Sequence, residues 1–300
     1  MTKYLIRHSF EILKTDGFLV LLREILKYIG LYNTPDKLIK WWIVGLSGKT
    51  SAVQKVQGSL MKLNLKDQGI HKDLYLHGIR EPQATRYMQS IMQPDWHIVD
   101  IGANIGYYAL MEARIVKSVV AIEAGRDNAT NLQSNISINQ YKNIEVFNCA
   151  IGDHNGMINF HVSKACNWNR IASGDDSIDE SINMYTLDNF IGEAYPVDFI
   201  RMDVEGYELN ILKGMRNILE QHRPDMFIEV HRDMLKDYGG TQLLLMQFLA
   251  EHDYSIRKAY IMGRENINGR IRDLLAHDKT RIEITERGIA SHIFFTGGRV

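Results

Sequence analysis

Ile98-Val99-Asp100-Ile101-Gly102-Ala103-Asn104-Ile105-Gly106-Tyr107-Tyr108 is the stretch that decides the fold of this chain. An apolar run ends in an acid, a turn with two glycines follows, and apolar and aromatic residues then resume at helical spacing. The pattern is that of a buried strand, a tight loop and a helix start. Gly102 lets the turn form, and lets a ligand approach the backbone where a β-carbon would collide. Dinucleotide-binding loops of this architecture use three glycines to lay pyrophosphate on a helix N-terminus. Here the third glycine is missing and an acid precedes the loop, which counts against a nicotinamide-dependent oxidoreductase and suits a positively charged ligand.

The next strand-like run, Ser118–Ile122, is followed by Glu123, 23 residues after Asp100. A carboxylate there is placed to accept hydrogen bonds from both hydroxyls of a ribose. Asp100, Gly102, Gly106 and Glu123 together fit S-adenosylmethionine, which carries a sulfonium and an ammonium group and no phosphate. Farther along, Phe199–Met202 ends at Asp203, with Glu205 and Glu208 just beyond it. Met226–Val230 contains Glu229 and ends at His231. Ligands of open parallel sheets bind at the carboxyl ends of strands, so these groups are expected to gather at one place. Asp203 and His231 are the candidate general bases for an acceptor hydroxyl, since histidine titrates near neutrality when unperturbed. Asp203, Glu205 and His231 also have donor types for a divalent ion such as Mg²⁺. No spacing there is diagnostic, and no metal ligand is assigned.

Strand-like and helix-like runs alternate on either side of the opening stretch. Helices are expected at Glu81–Met92, Ile105–Arg114, Asp127–Ile138, about Tyr207 to Leu219, and Thr241–Glu251. Strands are expected at His97–Ile101, Ser118–Ile122, Ile144–Asn148, Phe199–Met202, Met226–Val230, Tyr254–Ala259 and His292–Phe295. This alternation predicts a mostly parallel sheet covered by helices on both faces. A hairpin is expected over Lys55–Lys66. The insertion Ser163–Met184, with Asn167, Trp168, Asn169 and Arg170, has the makings of an acceptor-side loop. Within it Asp175, Asp176, Asp179 and Glu180 are expected to be solvated.

Residues 1–60 carry nine Lys/Arg against four Asp/Glu, a net of +5 in a chain whose total is −1. Residues 3–29 and 35–46 have apolar residues at helical spacing, with Trp41 and Trp42 in the second piece. Residues 1–54 are therefore assigned to an amphipathic helical extension, and residues 55–300 to the main domain. Two readings of the extension stand: helices packed on the main domain, or a peripheral contact with an anionic inner membrane surface. The Gly45–Thr50 segment lacks the first glycine of a phosphate loop, with Ile43 in its place. The near-neutral total excludes a protein that blankets nucleic acid. Cys149 and Cys166 make no disulfide framework, and no run reaches the ~20 apolar residues of a membrane span. The expected location is cytoplasmic; oligomeric state is not legible.

Several stretches then carry a specific resemblance: Asp100–Tyr108, Ala150-Ile151-Gly152-Asp153, Thr186-Leu187-Asp188-Asn189-Phe190, Ile200–Glu208 and Glu229-Val230-His231. In order and spacing the chain resembles the FkbM-type family of S-adenosylmethionine-dependent methyltransferases over roughly residues 55–300. Glu123-Ala124 departs from the family's usual Glu-Pro, but the carboxylate is kept. The resemblance implies a class I, Rossmann-like fold: doubly wound α/β with a mostly parallel seven-stranded sheet. It implies O-methylation of a small-molecule or glycan acceptor, such as a sugar of a cell-surface glycan or a secondary metabolite. It adds Ala103, Asn104 and Ala150 to the cofactor-binding set of Asp100, Gly102, Gly106 and Glu123. Asp203 belongs both to that set and to the catalytic set with Glu205 and His231. A non-catalytic, membrane-associated binding protein on the same fold is the alternative from another class.

Overall fold

The computed structural model describes residues 50–67, 69–163, 166–192, 195–261, 269–270 and 291–297. Most of the proposed 1–54 extension lies outside them. The chain divides into two compact units, Met1–Arg80 and Glu81–Val300. In the first, β1 (Ser51–Val56) and β2 (Ser59–Asn64) form an antiparallel hairpin, and α1 (Ile70–His77) follows. The turn residues Gln57 and Gly58 both have positive φ, as the twist of a two-residue hairpin demands. The hairpin starts earlier than its sequence suggests, because the first residues of β1 alternate only between exposed and half-buried and make no apolar run.

The second unit opens with α2 (Pro82–Ile91), its Pro in the first turn where a missing N–H costs nothing. β3 (His97–Ile101), α3 (Tyr107–Ala113), β4 (Ser118–Ile122), α4 (Arg126–Asn139) and β5 (Ile144–Phe147) follow. Then come four short strands: β6 (Ala150–Ile151), β7 (Gly156–His161), β8 (Arg170–Ile171) and β9 (Glu180–Tyr185). The chain returns through α5 (Leu187–Ile191), β10 (Phe199–Met202), α6 (Glu208–Lys213), α7 (Arg216–Gln221) and β11 (Asp225–Val230). α8 (Arg232–Leu235), α9 (Gln242–Glu251), β12 (Ser255–Ile261), β13 (Gly269–Arg270) and β14 (Ser291–Thr296) complete it.

Seven strands make the central sheet in the order β12-β14-β11-β10-β3-β4-β5, with the two-residue β13 at the β12 edge. β11, β10, β3, β4 and β5 are mutually parallel, and β14 runs against both of its neighbours. From β3 the chain steps to β4 and β5 on one side, and later to β10 and β11 on the other. The gap between β3 and β10 is thus the switch point where such sheets bind ligands. On one face Val99, Ile101, Ile200, Met202 and Ile228 meet Leu209, Leu212, Leu219 and Leu249 of the helices in a continuous core. On the other face the register sets Asp100 beside Arg201, Arg201 beside Phe227 and Phe227 beside Phe294.

Two expectations are corrected. The helix foreseen from Tyr207 to Leu219 is two helices, because at Gly214 the backbone lies against Gly152: a β-carbon there would sit 1.9 Å from the Gly152 carbonyl oxygen. The insertion is not a loop but part of a four-stranded sheet in the order β6-β9-β7-β8. Of its acids, Asp175 and Asp179 are exposed as expected, and Asp176 and Glu180 are half-buried. Asp176 accepts from the Arg170 guanidinium at 2.6 and 2.9 Å, Asp179 accepts from Val162 N at 2.8 Å, and Glu180 lies on β9.

Candidate active site

The β3–α3 loop is held from beneath. Gly102 N and Ala103 N both donate to the Ile122 carbonyl, at 2.9 and 3.1 Å. Gly102 has φ +79°, and a β-carbon there would lie 1.9 Å from the Asp203 carbonyl oxygen. The glycine is therefore required by the strand beside it, whatever ligand approaches from the front. Asn104 N donates to one oxygen of Glu123 and Gly125 N to the other, each at 2.8 Å. Burial pushes Glu123 up to about 7, against the lowering effect of those backbone bonds and of Asn128.

A cavity opens at the switch point. Of the residues singled out in the sequence, Gly102, Asn104, Glu123, Ala150, Asp203 and Glu205 line it. Asp100, Ala103 and Gly106 are not among its lining residues. Ile101, Ile122, Ile151, Phe160 and Ile171 supply apolar wall, and Arg170 the one basic side chain. Asn169, Cys149 and Cys166 also line it, so the four-stranded insertion contributes a wall. That wall is tied to the loop side: the Cys166 carbonyl accepts from Asn128 Nδ2 at 2.9 Å and from Asn104 Nδ2 at 3.4 Å. Asn104 and Glu205 hold the left-handed backbone region, φ +52° and +51°, which costs a non-glycine residue on the order of 1 kcal/mol or more. Such outliers concentrate at working sites.

His231 lies behind the acids of the cavity. Its Nδ1 is 2.8 Å from Glu208 Oε1, which also accepts from Gly206 N and His231 N at 3.1 and 3.2 Å. Its Nε2 faces Glu205 Oε2 at 3.3 Å, Glu229 Oε1 at 3.7 Å and Asp203 Oδ1 at 3.8 Å. Burial lowers the imidazole's pKa, but the Glu208 hydrogen bond and the surrounding carboxylates outweigh it and hold the pKa well above 6.5. Burial raises Glu205 to about 8, with His231 pulling the other way.

The sequence reading missed what Arg201 does. It is buried, and its Nη1 donates to Asp100 Oδ1 at 3.1 Å and to the Gly102 carbonyl at 3.0 Å. Its Nη2 donates to Asp203 Oδ2 at 2.7 Å, and its guanidinium lies 4.4 Å from the centre of the Tyr108 ring. One cation thus joins the acid before the loop, the loop itself and the acid after β10. This explains why Asp100 stands off the cavity: its side chain lies in the β3–β10 row, turned to Arg201. A second set, Glu81, Glu229 and His292, was not foreseen either. His292 Nε2 lies 3.1 Å from Glu81 Oε2 and 3.5 Å from Glu229 Oε2, and Tyr108 donates to Glu81 at 2.7 Å. Alternate basic and acidic residues at strand ends β10 and β11 were the available signal for Arg201. None marked Glu81, which meets His292 across 211 residues of chain.

A family model described as the methyltransferase FkbM domain matches residues 100–256, from the acid before the loop to β12. The chain belongs to this family. It is 27% identical over 175 residues to the 2-O-methyltransferase NoeI of Sinorhizobium fredii, covering 50% of this chain and 71% of that protein. The crystal structure of an FkbM methyltransferase from Methylobacillus flagellatus is similar at 21% identity and a TM-score of 0.45. That match covers 74% of this chain and 52% of the other, so the chain spans about half the length of that relative. The M. jannaschii TYW2 structure in complex with AdoMet is similar at 16% identity and a TM-score of 0.41, over 83% of this chain and 88% of that one. The sheet is the class I arrangement expected from the sequence, with β14 running against both of its neighbours. No helix among the described residues is long and apolar enough to cross a membrane.

Proposed function

We propose that this FkbM methyltransferase transfers a methyl group from S-adenosylmethionine to a hydroxyl of a sugar-type acceptor. The observation that carries this is one cavity with Glu123 on the β4 side and Asp203 and Glu205 on the β10 side. Three acidic side chains and one guanidinium, set among amide and apolar side chains, suit a cationic, phosphate-free ligand with an apolar base. Glu123 would hold the ribose. Its oxygens are already oriented by two backbone donors, and a carboxylate retains lone pairs for further ones. Gly102, Asn104 and Ala150 would line the rest of that half. When bound, S-adenosylmethionine supplies an electrophilic methyl group on a good leaving group.

The chain's own task is then to align the acceptor oxygen and take its proton. Asp203 and Glu205 reach the cavity and His231 does not, so the acceptor oxygen meets these two acid side chains first. His231 sits behind them and steadies their charge. The sugar reading draws support from the 2-O-methyltransferase relative. It also draws on the exposed Trp168, whose neighbours Asn169 and Arg170 line the cavity. A surface glycan is the first acceptor to test: mass spectrometry of glycans from cells with and without the gene should show a 14-dalton increment lost. Asp203→Asn and His231→Ala should each lower kcat by on the order of 10²-fold with cofactor affinity kept. Normal turnover in both would place the acceptor elsewhere. We also propose that residues 1–54 bring the enzyme to an anionic surface. Vesicle sedimentation that fails at low salt would leave them a packed extension.

A further inference from the structure

We propose that Asn169, carried into the cavity by the four-stranded insertion, is a cofactor-binding residue whose Nδ2 donates to the same ribose hydroxyl that donates to Glu123. The inference rests on the methyl-transfer reading and adds to it a residue that the sequence places on the acceptor side. It begins with an amide whose orientation is fixed. Asn169 Oδ1 accepts from Ser163 N at 2.9 Å. A flipped amide would set N–H against N–H there, so the oxygen is the bound end and the NH₂ group is turned the other way. Asn169 lines the cavity, and that NH₂ group makes no hydrogen bond among the described residues.

Gly125 shows where the NH₂ group is aimed. A β-carbon on Gly125 would lie 2.8 Å from Asn169 Nδ2 and 3.0 Å from Glu123 Oε1. The backbone there, φ −71° and ψ 116°, is open to any residue, so the glycine answers to space and not to conformation. Two groups thus face one small gap: an acceptor already aligned by Gly125 N at 2.8 Å, and a donor with two hydrogens. One oxygen about 2.8–3.0 Å from each would bond to both. The third atom near that point, Asn128 Nδ2 at 3.6 Å, is held by the Cys166 carbonyl at 2.9 Å. That bond also anchors the segment from which Asn169 projects.

The pairing selects a chemistry. A hydroxyl gives one hydrogen and has two lone pairs, so a single oxygen satisfies Glu123 and Asn169 together. A carboxylate there would be repelled by Glu123, and an ammonium group would leave Asn169 with nothing to donate to. Glu123 follows β4 directly, at the strand end where an acid meets a ribose in sheets of this kind, so the hydroxyl is the cofactor's. The insertion then serves the cofactor as well as the acceptor.

Calorimetry of the full chain tests this, with S-adenosylhomocysteine and its 2′-deoxy and 3′-deoxy forms as probes. It is run at pH 8, above the value of about 7 to which burial raises Glu123. Asn169→Ala should weaken S-adenosylhomocysteine roughly 3–10-fold, the loss of one hydrogen bond. Asn169→Asp keeps an acceptor for Ser163 N, and so the anchoring of the insertion, but has no donor; it should weaken binding at least as much. With one of the two deoxy forms, Asn169→Ala and the wild type should bind alike, because the hydroxyl that Asn169 reads is gone. A loss that is equal for all three probes makes Asn169 an anchor of the insertion only and overturns the proposal. So does either variant binding S-adenosylhomocysteine as tightly as the wild type. Wild-type protein that binds none of the three sinks the methyl-transfer reading itself, and this inference with it.

Discussion

Arg201→Met should unfold the protein more easily by several kcal/mol, and the loss should depend on pH in a set direction. The substitution keeps length and apolar contact with Tyr108 but removes the charge that faces Asp100 at 3.1 Å and Asp203 at 2.7 Å. Asp100 is fully buried, so its carboxylate cannot turn to water. Removing one partner of a buried pair costs about 3–5 kcal/mol, chiefly for the charge left behind. For a chain of this size that corresponds to a fall in Tm of about 10 °C. Burial raises the Asp100 carboxyl above its usual range while Arg201 pulls it down. Without Arg201 it rises further, and the folded variant takes up a proton that the unfolded chain releases. The penalty is therefore full above that raised pKa and shrinks as pH falls through it. Urea unfolding followed by circular dichroism at pH 8 and pH 5 reads both effects. Adding Asp100→Asn to the variant removes the stranded charge and should restore about 2 kcal/mol at pH 8. If Arg201→Met unfolds within about 1 kcal/mol of the wild type at pH 8, or if Asp100→Asn restores nothing, the charge-compensation argument is wrong.

Glu123→Ala should weaken S-adenosylhomocysteine by roughly 1.5–3 kcal/mol in calorimetry; wild-type affinity should fall as pH drops through about 7, where Glu123 gains its proton, and the variant should lose that dependence. Gly102→Ala places a β-carbon 1.9 Å from the Asp203 carbonyl in addition to the φ strain, whereas Gly78→Ala meets nothing within 4 Å at φ +65°. The first should cost several kcal/mol and the second about 1 in thermal unfolding; equal losses would refute the close-approach account. Asn128→Ala removes the 2.9 Å bond to the Cys166 carbonyl and should speed amide exchange around residues 166–172 with the central strands unaffected.

The central strands were legible because each is a short apolar run closed by a turn: His97–Ile101, Ser118–Ile122 and Phe199–Met202 stand as the sequence places them. The insertion was not, because β7 and β9 are half exposed and β6 and β8 are two residues each, too short for periodicity. The break at Gly214 was hidden for another reason, since its cause is backbone more than 60 residues earlier. The site divides in the same way. Strand-end position marks Glu123, Asp203 and Glu205 locally. The partners that set their chemistry, Arg201 for Asp100 and Glu208 for His231, are chosen by strand register and helix placement. Pairings between residues 101 and 23 positions apart have no local signature.

β14 enters the sheet between β11 and β12, yet it is made after both. During synthesis the outer edge of β11 is therefore left open, and β12 has no place beside it until the chain has passed residue 296. An uncovered edge of this kind invites pairing with other chains. The same strand carries His292, so Glu81 and Glu229 acquire the imidazole that faces them only when β14 slides in. A chain cut short before residue 291 would thus be both incomplete at the site and sticky along β11. Such a product should be recovered with chaperones or in aggregates, and not as a soluble, inactive enzyme.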